Sequence, residues 1–418
     1  MAIVKPFAAL RPKPELAARI CELPYDVMSS DEARAMAAGN PLSFLHVSKP
    51  EIDLSLQIDP YAPEVYAKGK ANFEWLQRQG ALRCDASPRF YLYRQVMGAH
   101  SQVGLVAGAS CDEYLMGVIK KHELTRPDKE DDRVRHIEAL QSQTGPVFLV
   151  YRARAGMDGL ASRKTAEPPE TDFTAPDGVR HSVWVLDRAA EIAFIEAEFA
   201  QMASLYIADG HHRSAAAARV FQKRKDLAGE TAAGSAKDGV GGSAGFLSVI
   251  FPHDQVQILP YNRVLKDLNG LNPEQLLARL RTVFHFGEAG LSVPGEKHEL
   301  TMFLAGRWQQ LRFRSELVAA EGPVGQLDVA LLQRHVLDPI FGITDPRTSK
   351  RVNFVGGIRG VEELERLVGS GDYACAFAMV PTGIEDLLAI ADAGGIMPPK
   401  STWFEPKLRD ALFCRSIA

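Results

Sequence analysis

Residues 206–220, YIADGHHRSAAAARV, set an acid, a glycine, two histidines and an arginine between an apolar run and an alanine-rich stretch. LYIA has the pattern of a buried strand, Gly210 permits a sharp turn, and the alanines favour a helix. His211, His212 and Arg213 then stand at a helix N-terminus, beside backbone N–H groups without intrahelical partners and at the positive end of the dipole. Such a turn favours an anion, phosphate in particular. Asp209, at the strand end, has three possible uses: capping the helix, orienting a histidine or holding Mg²⁺. The plain alternative is a capped strand-to-helix turn with incidental histidines, but a cap needs one polar function and Asp-Gly-His-His-Arg carries four.

A second dense stretch is KKHELTRPDKEDDRVRHIEAL, residues 120–140. Glu123, Asp128, Glu130, Asp131 and Asp132 alternate there with Lys120, Lys121, Arg126, Lys129, Arg133, Arg135 and His136. Val134, Ile137 and Leu140 give the second half an apolar helical face. The first half, HELTRPDKEDD, is interrupted by Pro127 and reads as a loop. Carboxylates and cations mixed at this density suit Mg²⁺ and phosphate bound together, and a solvated surface loop accounts for them equally well. KHEL recurs at 297–300 without the charged extension, so the tetrapeptide alone proves nothing. Asp26, in LPYDVMS, is placed better for capping a helix than for chemistry. DPRTSKR (345–351, with Lys350) and PPKSTWFEPK (398–407) offer either an anion clamp or a polar rim. His46 and His335, in apolar surroundings, read as core histidines.

The elements that must position these groups alternate along a chain of 418 residues, long enough for two or three structural units. Strands are expected at 90–95, 103–109, 146–152, 182–186, 205–208, 246–251 and 256–261, with a strand pair over 301–313. Helices are expected at 29–38 (opened by Ser30), 63–78, 189–202, 213–225, 329–337 and 361–369. The class is α/β or α+β, mixed sheets with flanking helices. The expected division is a main α/β catalytic region, 1–290, with a mobile surface loop over the glycine-rich 228–245, and a C-terminal α/β region, 291–418, packed on it.

Composition excludes several classes of function. Forty-eight basic against fifty-two acidic side chains, a net charge of −4, leave no global field to gather a nucleic-acid backbone. Five scattered cysteines, none spaced C-x-x-C, argue against a disulfide scaffold or a thiolate zinc site and fit a reducing cytoplasm. The first residues lack the apolar core of a signal peptide, and no apolar run approaches the roughly 18 residues that span a bilayer. The P-loop, G-x-S-x-G, H-E-x-x-H and dinucleotide glycine signatures are missing.

The strings LRPKPELA, LPYDVMS, NPLSFLHVSKPEIDL, GVIKKHELTRPDKEDDRVRHIEALQSQTGPVFLVYR, LYIADGHHRSAAAARV, YNRVLKDLNGL, DPRTSKRVNFVGGIRG and MPPKSTWFEPKLRD resemble those of the bacterial and archaeal family catalogued as domain of unknown function 1015. The D-G-H-H-R turn is similar to the phosphate-binding turn of the ParB/sulfiredoxin-like superfamily, which includes free-serine kinases. The resemblance implies ATP with Mg²⁺, the nucleotide phosphates held by Gly210, His211, His212, Arg213 and Ser214. Asp209 and His212 are expected to serve catalysis. Glu123 is the first choice for the base and Asp26 the second, with Asp209 and Glu123 as metal ligands. Asp26, Arg126, Lys129, Arg133 and Lys350 are expected to meet the acceptor. The expected function is a small-molecule kinase acting on free L-serine, as a monomer or homodimer without nucleic-acid or membrane partners. Two alternatives stay open: a phosphatase or nucleotide hydrolase using the same site, and a ParB-like nucleic-acid-binding regulator.

Overall fold

Apolar runs with few charged interruptions, such as FYLYRQVM and GFLSVIFP, belong in a sheet covered on both faces. In the computed structural model, which describes residues 1–228 and 240–418, they lie inside a nine-stranded sheet. The chain divides into two units, residues 1–256 with 406–418, and residues 257–405.

The first unit is built on β1 (Val4–Lys5), β2 (Phe90–Met97), β3 (His100–Ser110), β4 (Ile119–Lys120), β5 (Val147–Tyr151), β6 (Thr171–Thr174), β7 (Arg180–Leu186), β8 (Leu205–Asp209) and β9 (Gly245–Pro252). Their order is β4-β8-β5-β9-β3-β2-β7-β6, with β1 also paired to β3. The pairs β4/β8 and β5/β9 are parallel and the others antiparallel, so the sheet is mixed. Its core joins Leu92, Leu105, Leu149, Trp184, Phe199 and Ile207.

Two helices carry the dense motifs: α1 (Pro127–Leu140) and α2 (His211–Ala228). Ala215, Ala217 and Ala218 of α2 enter the sheet core, where side chains this small let the helix lie close to the strands. Ala216 and Val220 meet Ile137 and Val134 of α1. A separate four-stranded sheet, in the order Leu82–Cys84, Ala9–Pro12, Cys414–Ser416, Ser142–Gln143, draws the last residues back into the first unit.

The second unit holds a six-stranded antiparallel sheet of β10 (Tyr261–Leu265), β11 (Phe284–Ala289), β12 (Glu299–Leu304), β13 (Arg307–Phe313), β14 (Val352–Gly356) and β15 (Cys375–Met379), ordered β11-β13-β12-β15-β10-β14. Leu364, on the helix Glu362–Gly369, packs with Val264, Phe303 and Trp308. Gln257–Leu259 pairs with Trp403–Glu405, so the two ends of this unit meet.

The class is mixed α/β, as expected, but four details differ. The boundary expected at 290 falls inside the second unit, because β11 pairs with β13 in its sheet. HELTRPDKEDD is not a loop throughout: Pro127 opens α1, where its missing N–H costs nothing, and Asp128 and Glu130 fall in the first turn. The stretch 256–261 splits between the short strand Gln257–Leu259 and β10. Of the loop expected over 228–245, residues 229–239 lie outside the described residues. Residues 240–245 contain the short helix Gly242–Ala244, with Val240 buried. No described helix is long and apolar enough to cross a membrane.

Candidate functional site

β8 ends at Asp209, with a register irregularity between Ile207 and Asp209 that re-aims the strand end, and Gly210 then takes φ +94°. A side chain there would be strained, since an added Cβ would lie 3.2 Å from Arg213 Nε and 3.3 Å from Val147 Cα. α2 begins at His211. The strand-turn-helix therefore forms where the sequence places it, with first-turn amides facing away from the helix body.

The side chains of the turn are more committed than an exposed phosphate clamp would be. Asp209 Oδ1 accepts from the Gly210 N–H at 2.8 Å, while Oδ2 meets Lys407 Nζ at 3.2 Å and Arg213 Nη2 at 3.8 Å. Desolvation works against the carboxylate, but Lys407 and Arg213 hold it well below the usual aspartate range. Arg213 is buried, donates from Nη1 to the Pro146 carbonyl and stands 3.8 Å from Asp26. Ser214 Oγ donates back to the His211 carbonyl at 3.0 Å and has no exposed surface, so its expected donation to a ligand is not available. His212 accepts at Nε2 from the Arg126 N–H at 3.0 Å. Burial lowers the His212 pKa, against upward pulls from Asp26 and Glu130.

The two dense motifs meet. Besides the Arg126 to His212 bond, the rings of His122 and His211 stand edge to face, 4.6 Å apart. α1 and α2 are further joined by Arg219 to Asp131 at 2.7 Å, Arg219 to Glu130 at 3.4 Å and Lys223 to Glu138 at 2.6 Å. Two of the five charges in DKEDD, Glu130 and Asp131, thus hold one helix to its neighbour. The Arg126 guanidinium is turned away onto Asp128, at 2.8 Å.

Asp26 lies in the turn Tyr25–Val27 and borders a cavity of about 280 Å³. Ser29, Lys49, Tyr61, Lys129 and Arg133 line the same cavity. Lys129 donates to the Tyr61 hydroxyl at 2.8 Å, and Arg133 lies over the Tyr25 ring at 3.7 Å while pairing with Asp132 at 2.7 Å. Lys350, expected with this group, belongs to the second unit. There Asp345 and Arg347 of DPRTSKR pair at 2.9 Å and border a cavity of about 410 Å³ with Arg263 and Phe354. Ser29, and not Ser30, caps the helix after Asp26, through a capping box with Glu32. Asp26 is therefore not the cap.

As a pair of Mg²⁺ ligands, Asp209 and Glu123 do not fit. Asp209 faces an ammonium and a guanidinium, and among the described residues the group of ligand atoms within 4.8 Å of one another is His122, Glu123 and His211. Two groups carried no expected role, His122 and Asp410, and Lys407 was expected only as part of the anion clamp or polar rim of 398–407. Asp410 is buried beside a cavity of about 30 Å³ that Arg133 and Arg213 also line. Burial raises its pKa to about 7, with Asp26 adding to the rise and Arg213 opposing it. His46, expected in the core, is half-buried and pairs with Asp53 at 2.7 Å.

The sequence matches the family described as "Protein of unknown function (DUF1015)" over residues 4–330. No curated protein matches it. Solved structures with a similar trace include a conserved hypothetical protein from Pyrococcus furiosus, 13% identical, covering 73% of this chain and 93% of its own, with a TM-score of 0.33. A free serine kinase in complex with AMP is 12% identical, covering 74% and 92%, with a TM-score of 0.34. SbnI with C-terminal truncation from Staphylococcus aureus is 12% identical, covering 73% and 85%, with a TM-score of 0.37.

Proposed function

The chain belongs to that family of unknown function, and we propose that this member is an ATP-dependent phosphotransferase acting on a small hydroxyl acceptor, free L-serine first. The observation that carries the reading is Asp26, which borders the 280 Å³ cavity and stands 3.8 Å from Arg213 of the strand-turn-helix. One carboxylate is thus shared by a pocket of amino-acid dimensions and a helix N-terminus suited to phosphate.

In this reading the nucleotide phosphates approach the first turn of α2, met by its backbone amides and His212. The acceptor enters the cavity, where Lys49, Lys129 and Arg133 suit a carboxylate and Glu51 an ammonium. Asp26 accepts the hydroxyl proton as that oxygen attacks the γ-phosphorus and the bond to the β-phosphate oxygen breaks, releasing ADP. Asp26 replaces Glu123 as the favoured base because Glu123 is grouped with two histidines. Arg213, 3.8 Å from each, positions Asp26 and Asp209, and Mg²⁺ enters with the nucleotide as part of the substrate. Phosphoryl transfer of this kind needs alignment and charge compensation more than covalent chemistry.

The test is to incubate the protein with Mg-ATP, with and without L-serine, and follow products by phosphorus NMR. Serine-dependent O-phosphoserine is expected, with kcat lowered about 10²- to 10⁴-fold in Asp26→Asn while folding is retained. Phosphate release that ignores serine would replace the kinase by a hydrolase. Unchanged ATP would overturn both.

A further inference from the structure

We propose that His122, Glu123 and His211 form a binding site for one divalent first-row transition-metal ion, which ties the segment before α1 to the first turn of α2. The ligand atoms of these three residues lie within 4.8 Å of one another. His122 is 2% and His211 6% exposed; Nε2 of His211 is without a hydrogen-bond partner, and the His122 ring has no side-chain partner and meets only the Ile207 backbone. Buried polar atoms left in that state are costly, and a shared cation satisfies both rings at once.

The donor set selects the ion. Two imidazoles and one carboxylate suit Zn²⁺, Co²⁺, Fe²⁺ or Mn²⁺, whereas Mg²⁺ and Ca²⁺ prefer oxygen throughout. Metal ligation uses each ring in its neutral form. Lys121, the adjacent cation, directs its ammonium onto the face of Tyr114, 4.0 Å from the ring centre. Closing the site brings the ligand atoms to roughly 3.3 Å from one another, as bonds of about 2.0–2.2 Å at tetrahedral angles require. Three protein ligands leave a position open. Glu123 is the less buried of the three and marks the side from which a small anionic or water ligand would reach it.

This site is independent of the phosphotransferase reading and can be tested without nucleotide. Untagged protein is stripped with chelator, its fold checked by circular dichroism, and titrated with Co²⁺ as an optical probe. The expected result is saturation at one ion per chain, with ligand-field absorption bands and a higher Tm. Glu123→Gln, at a partly exposed position, is expected to weaken binding at least tenfold, and His122→Gln to abolish it. If His122→Gln does not fold, Glu123→Gln decides. Folded wild-type protein that takes up no Co²⁺ stoichiometrically, or a Glu123→Gln variant that binds it as tightly as wild type, would overturn the proposal.

Discussion

At the scale of single residues, the first unit concentrates charge where little water reaches. Asp410 is the clearest case, a buried carboxyl among Arg213, Arg133, Arg409 and Asp26 whose folded pKa is raised to about 7. An unfolded aspartate titrates near 3.9, so between about pH 4 and pH 7 the folded protein holds a proton that the unfolded chain has released. The contribution of Asp410 is therefore most favourable below the unfolded value and declines as pH rises to about 7. Asp410→Asn keeps the site neutral and should gain on wild type with rising pH, by up to a few kcal/mol, since each pKa unit corresponds to about 1.4 kcal/mol. Urea midpoints of both proteins at about pH 5 and pH 8 check this: the gap between them should shift toward the variant at the higher pH, and a constant gap contradicts it. Asp410 and Lys407 were not legible as partners of the turn, because a return of the chain some two hundred residues later delivers them. LYIADGHHR was legible because a strand, a glycine turn and a helix are fixed by neighbours in sequence.

At the scale of elements, the pairing of α1 with α2 is what brings the charged motifs together. Its apolar contact sets buried Ile137 and partly buried Val134 against buried Ala216 and Val220, whereas the ion pairs of Arg219 are about half exposed. Ile137→Ala should cost about 2–4 kcal/mol through lost burial and the cavity left behind. Arg219→Ala should cost about 1 kcal/mol or less, because exposed ion pairs contribute little. Chemical denaturation of the two variants measures the difference. An arginine variant as damaging as the isoleucine one would mean that charge, and not packing, holds the helices together. The expected loop over HELTRPDKEDD failed at Pro127, which reads as a break in an interior but is well tolerated at a helix's first position. Part of the charge in the run, on Glu130, Asp131 and Glu138, pairs with Arg219 and Lys223 of α2.

At the scale of the whole molecule, the second unit is inserted into the first, and its ends meet in the pairing of Gln257–Leu259 with Trp403–Glu405. The strand Cys414–Ser416 completes a sheet of the first unit beside Ala9–Pro12. Replacing residues 257–405 by a short glycine-serine linker should thus leave the first unit folded, while stopping the chain at 405 should unfold it. Circular dichroism and proteolysis of the two truncated forms test this, and a folded chain ending at 405 contradicts it. The α/β class was legible from the alternation of apolar runs and helical patterns. The division at 256 was not, because where a unit ends depends on which strands share a sheet, as β11 and β13 do.

Hydrogen exchange of the backbone amides with and without Mg-ATP is the measurement that decides whether an oligophosphate binds the first turn of α2, as proposed. Slower exchange is expected over residues 209–214 and around Asp26, with weaker protection in His212→Ala. Unchanged exchange at this turn under saturating nucleotide, or protection confined to other segments, would contradict it.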